Sequence, residues 1–166
     1  MKTSARRTAA VVAAGIGIFS LGMPSASADS LPAGIACPGF ALQFEGVGGN
    51  RQVHDFTDEN GVGRIVTGGT GASLTFTNLS TGKTLTLPSN GSTSKQTVRP
   101  DKSSTNVITG HTILILFPTD KTAGGVPPGP STSLIVGRVV FENDGAGNFT
   151  LTSTAGRVVD ICAALS

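Results

Sequence analysis

The chain has 166 residues, 38% of them hydrophobic and only 13% charged, with 23 Gly, 9 Pro, two Cys and neither Trp nor Tyr. That apolar content excludes a disordered polymer, and the length suits one domain. The formal charge of +2 is concentrated at the N-terminus, so it is no sign of a nucleic-acid or anionic-membrane partner.

Residues 1–28 carry the pattern of a signal peptide. Lys2, Arg6 and Arg7 open it, Ala9 to Leu21 is apolar, and Ala26-Ser27-Ala28 supplies the small residues of a cleavage site. Thr8-Ala9-Ala10 lacks the bulky residues that usually follow a twin-arginine pair, which favours ordinary secretion. The apolar run is short of the roughly 20 residues of a membrane span, and no later segment is a candidate. Cleavage would remove three of the twelve basic residues and none of the ten acidic ones, leaving a formal charge of −1 on residues 29–166. No electrostatic footprint then remains for nucleic acid.

Residues 29–166 read as a single all-β domain. Short runs of Val, Ile, Leu, Phe and Thr are broken about every 8–12 residues by turn formers, and no helical period is sustained. The expectation is an antiparallel β-sandwich, with a β-barrel as the alternative, of about eight to ten strands. The first is Phe40 to Glu45, with Phe40, Leu42 and Phe44 on one face. Gln52 to Thr57 and Arg64 to Thr67 follow, separated by a turn at Asp58-Glu59-Asn60-Gly61. A hairpin about Thr81-Gly82 would set Phe76 against Leu87 and Asn78 against Leu85, sorting Leu74, Phe76, Leu85 and Leu87 from the intervening Thr residues.

Beyond a polar stretch with a short strand at Thr97-Val98 comes Thr112 to Phe117, apolar on both faces. Such a strand must be covered twice, either centrally in a sheet or under a loop. The Pro/Gly-rich segment Pro118–Ser131 is the candidate loop. A second hairpin about Asn143-Asp144-Gly145 would pair Phe141 with Phe149 and Val139 with Leu151, and the chain would end in a strand from Val158 to Cys162. Cys37 and Cys162 are the two thiols of a chain bound for an oxidising compartment, so a monomer can form one bridge, Cys37–Cys162.

Catalytic and cofactor motifs fail one by one. Gly82-Lys83-Thr84 lacks the upstream Gly of a phosphate loop and lies in a hairpin. Asp58-Glu59-Asn60-Gly61 and Glu142-Asn143-Asp144-Gly145 resemble pieces of calcium loops, yet Phe56 and Val140 stand where the first carboxylate belongs. No nucleophile elbow occurs. The Asn-x-Ser/Thr sequons at Asn78, Asn90 and Asn148 mean little behind a bacterial signal. The Thr-x-Thr runs are the outward faces of strands rather than an ice-binding array. The absence of Trp and Tyr disfavours a sugar-stacking platform. No cofactor is expected.

At Gly110-His111-Thr112 through Phe117-Pro118-Thr119-Asp120, and at Asp160-Ile161-Cys162, the chain resembles an uncharacterised family of small secreted actinobacterial all-β proteins. The resemblance implies secretion and agrees with the terminal Cys pairing; it implies no activity and assigns no functional residue.

The function expected is therefore a secreted, non-catalytic binding or interaction module of the cell envelope or extracellular medium. Its partner would be a protein or envelope component, met through Lys121, Val126, Pro127, Pro128 and Pro130 of the loop. Two alternatives stand beside it. One is a small metal-dependent hydrolase using His54 and His111; the other is a protease inhibitor presenting the Pro118–Ser131 loop.

Overall fold

The computed structural model describes residues 28–88 and 91–166, so residues 1–27 of the expected signal segment and Asn90 of the second sequon lie outside the described residues. In chain order the elements are β1 (Asp29–Leu31), β2 (Leu42–Val47), β3 (Asn50–Thr57), β4 (Gly63–Thr70), β5 (Ser73–Asn78) and β6 (Thr84–Leu87). Then come β7 (Ser92–Val98), β8 (Ser104–Leu116), β9 (Lys121–Thr122), β10 (Ser131–Asn143), β11 (Phe149–Asp160) and the helix α1 (Ile161–Leu165).

The strands form two open sheets, ordered β1-β2-β5-β6 and β3-β4-β7-β8-β10-β11-β9. All pairings are antiparallel except that of β9 with β11. Neither sheet closes into a barrel; the architecture is the expected all-β sandwich. The strand count exceeds expectation through two fragments, β1 of 3 residues and β9 of 2.

Alternation along β8 builds two cores. Ile113 and Ile115, with Leu134 of β10, pack towards the smaller sheet, where Leu42, Phe44, Leu74, Phe76, Leu85 and Leu87 meet them. On the opposite face Leu114 and Leu116 join Ile108, Ile135, Val139, Phe141 and Leu151 in a second cluster. The doubly apolar strand is thus covered twice: by the smaller sheet on one side, and on the other partly by Val126 from the following loop. Each large apolar side chain so buried stabilises the fold by about 1.5–3 kcal/mol.

The disulfide forms as expected. Cys37 and Cys162 lie 5.5 Å apart at Cα, both buried in the first cluster. Thr132 Oγ1 donates to the Ala36 carbonyl at 3.0 Å and fastens the same segment to β10.

Next to their turns both hairpin registers differ from expectation by two residues. Phe76 faces Leu85, and Leu74 faces Leu87. The loop is longer than a two-residue turn because Asn78 N donates to Lys83 O and Gly82 N to Asn78 O, while Asn78 Oδ1 accepts from Ser80 N and Thr81 N. In the second hairpin Phe141 faces Leu151 and Asn143 faces Phe149, with a bulge between Val140 and Phe141. Here Asp144 N donates to Asn148 O, so Gly145, Ala146 and Gly147 form the loop. A shift of two keeps side chains on their faces. Beyond the bulge the shift is three, with Val139 facing Thr154 rather than Leu151. Val139, Phe141, Phe149 and Leu151 still cluster, and the Phe141 and Phe149 rings touch at 5.1 Å between centroids.

The expected last strand, Val158 to Cys162, is replaced by the end of β11 and the helical turn α1. Asp160 has extended φ and ψ and its Oδ1 accepts from Ala163 N at 2.9 Å, capping the turn. Strands β7 and β8 are also longer than their apolar content suggested. Ser104 and Asn106 occupy the buried face of β8, where Ser104 Oγ accepts from the Asn106, Gln96 and Asn143 amides at 3.3–3.4 Å while Asn106 Oδ1 is left without a partner among the described residues.

A line of glycine crosses the larger sheet. Gly110 of β8 faces Gly137 of β10, which faces Gly156 of β11. Gly156 has φ +116 and its absent Cβ would run into the Val136 carbonyl. The three backbones approach closely at this line, which side chains would prevent.

Candidate functional site

The segment between β8 and β10 is an irregular connection with both ends fastened. Pro118 and Thr119 make a tight turn: Asp120 N donates to Phe117 O, and Asp120 Oδ2 accepts from Phe117 N at 2.8 Å. Lys121 and Thr122 then pair with Thr150 and Leu151 as β9, and Ala123 N donates to Leu151 O at 2.8 Å. Gly124 and Gly125, both left-handed, reverse the chain so that Val126 N reaches Ala123 O. Gly129 is wedged against the Leu116 and Phe117 carbonyls, leaving no room for a side chain, and the Gly129–Pro130 peptide is cis.

This arrangement divides the five loop residues singled out from sequence. Pro127 and Pro128 stand exposed at the tip, beside Ala123, Gly124 and Gly125. Val126 is half-buried against the second core and is a structural residue. Pro130 lines a shallow depression with Phe40, Asp160 and Cys162, next to the disulfide. Lys121 is exposed on β9 and borders a different depression, with Arg99, Ser103, Glu142, Asp144 and Asn148. The tip offers no large side chain to fill a protease specificity pocket, and Lys121, the nearest one, is held in a strand pair.

The second depression is polar and sits where two hairpin turns abut; a Cβ on Gly145 would strike the Asp101 carbonyl. Arg99 donates to Ser103 Oγ and Thr105 Oγ1. Asp101 Oδ1 accepts from both Ser103 Oγ and Ser103 N, and these bonds hold its carboxyl below the ordinary value of 3.8. Asp144 is lowered in the same way, first by the side-chain amide of Asn148 and then by backbone N–H groups of its own loop. Sequence reading passed over this constellation because Arg99 to Ser103 and Glu142 to Asn148 are far apart in the chain.

The two calcium-like stretches are hairpin turns in which Asp58 and Asp144 accept from the backbone of their own loops. Asp58 Oδ1 accepts from Asn60 N and Val62 N at 3.0 Å, and its Oδ2 lies 3.9 Å from Arg64. Among the described residues no group of three His, Cys, Asp or Glu side chains could hold a metal ion.

His54 and His111 do not meet. His54 faces Val66, which faces Lys95, which faces Val107, so three strand spacings of about 4.8 Å lie between β3 and β8. His111 is a further four positions along β8 from Val107. A metal shared between these two imidazoles is ruled out by register.

Among the described residues no helix is long and apolar enough to cross a membrane. No family model, curated protein or solved structure matches the chain.

Proposed function

We propose that the chain is an exported, non-catalytic binding module of the cell envelope or the surrounding medium, and that it meets a protein or envelope partner through the loop tip from Ala123 to Pro128. One observation carries the reading: an irregular segment stands exposed while its two ends are fixed by strand pairing, a core side chain and a wedged glycine. Holding a loop in one shape before contact reduces the entropy lost on binding. Export is supported by the N-terminal pattern and by the buried disulfide, which persists in oxidising compartments.

N-terminal sequencing of protein recovered from the culture medium should begin near Asp29; retention in the cytoplasm would refute export. A photo-crosslinking residue at Pro127 should capture a defined envelope or medium component, whereas one at Glu59, on another turn, should not. Equal capture from both positions would refute the loop.

A further inference from the structure

Among the described residues, three of the four sheet edges are short: β1 has 3 residues, β6 has 4 and β9 has 2. The fourth, β3, has 8 residues and every one of them is exposed. Val53 and Phe56, on opposite faces, are 50% and 56% exposed. The strand contains no Pro, Lys or Gly, and its register with β4 runs without a bulge. Short length, Pro, Lys and bulges usually blunt exposed edges, and β3 has none of these; the charges it does carry, Arg51 and Asp55, are of opposite sign.

The direction of its free backbone groups follows from one hydrogen bond. Asp58 N donates to Val62 O at 3.0 Å, one step beyond the Thr57–Gly63 pair. Hydrogen-bonded pairs alternate in an antiparallel ladder, so Phe56, His54 and Gln52 bond to β4. Arg51, Val53, Asp55 and Thr57 then direct their N–H and C=O groups outwards.

We propose that β3 pairs with β3 of a second copy, antiparallel, about a two-fold axis at Val53. In this register Val53 faces the partner's Val53, and Arg51 faces the partner's Asp55 twice over. All three pairs join outward-directed groups, giving six backbone hydrogen bonds. Shifting the axis to His54 would set Val53 against Asp55, and shifting it to Asp55 would set the two carboxylates against each other. The register centred on Val53 is therefore the one in which both charges are complemented, and opposite charges across a strand pair attract while like charges repel. Neither Arg51 nor Asp55 makes an ion pair within the chain among the described residues. Because each copy has one such edge among the described residues, the contact is self-complementary and stops at two. It is independent of the loop reading, since β3 and β9 lie on opposite edges of the larger sheet.

A charge-swap cycle tests the register in protein recovered from cells expressing the full chain, with the disulfide intact. Sedimentation equilibrium should show a reversible dimer. Arg51→Asp alone and Asp55→Arg alone should each weaken it at least about tenfold, and the two together should restore it to within about threefold. Val53→Pro removes an outward N–H and leaves the β4 ladder untouched; it should give a monomer with an unchanged far-ultraviolet circular-dichroism spectrum. A wild-type protein that is monomeric throughout, single swaps without effect, or a double swap that fails to restore association would each overturn the proposal.

Discussion

Asn78 and Leu165 stand 87 positions apart in the chain, yet Asn78 Nδ2 donates to the Leu165 carbonyl at 3.0 Å in a buried contact. The same side chain shapes its own hairpin loop through Oδ1, so one residue joins the smaller sheet to the C-terminal turn. It is only 2% exposed, which closes this sequon to modification in the folded protein. Asn78→Ala would leave a buried carbonyl without its donor and release the loop. The expected cost is about 2 kcal/mol, read as a lower urea midpoint at unchanged slope.

The bridge between Cys37 and Cys162 closes a span of 125 residues. In the chain-entropy account such a closure stabilises by roughly 4–5 kcal/mol, so the Cys37→Ser, Cys162→Ser double variant should lose about that much in denaturant titration. Reduction of the wild-type protein should produce a similar loss. Hydrogen exchange in the reduced protein should rise first in α1, which the bridge ties to the first core.

Three hairpins use the same closing pattern, in which the first residue's N–H bonds to a carbonyl four positions on: Asp58 to Val62, Arg99 to Ser103, and Asp144 to Asn148. The residue before the last is left-handed in each, and it is Gly61, Lys102 and Gly147 respectively. Lys102, at φ +68, bears the strain of a Cβ that the two glycines lack. Lys102→Gly should therefore stabilise the protein by about 0.5–1 kcal/mol, visible as a higher melting temperature.

Asp101 and Asp144 both ionise more readily folded than unfolded. For a depressed carboxyl the stabilisation is fully present above the unfolded value, 3.8 here, and is lost as pH falls through the lower folded value. The two turns should loosen on acidification below about pH 3.8, seen as increased amide exchange at Ser103 and Asn148. Asp144→Asn should remove that pH dependence at Asn148 and leave it intact at Ser103.

Period-two sorting made the faces of the strands legible, because leucines and phenylalanines alternate with Thr in Leu74–Thr77 and Thr84–Leu87. Registers were less so: Asn78 and Asp144 recruit backbone N–H groups into loops longer than the turn formers alone announce. The bridge was legible from the expectation of export and from the count of two thiols. The helix α1 was hidden by the apolar Ile161-Cys162, although Asp160 ahead of Ala163-Ala164 is a capping signal. The full length of β8 was hidden by the polar residues Ser104 and Asn106, which are buried there; Ser104 Oγ accepts from Gln96 and Asn143 of the neighbouring strands. Of the candidate loop, exposure at Pro127 and Pro128 followed from composition, but the half-burial of Val126 depended on tertiary packing against the second core.

The two apolar clusters lie back to back on one wall made of β8 and β10, and the sulfur bridge belongs to only one of them. Both chambers share that wall, so loosening either one deprives the other of its backing. Heating should accordingly give a single melting event rather than two, with the unbridged chamber no less durable than its neighbour.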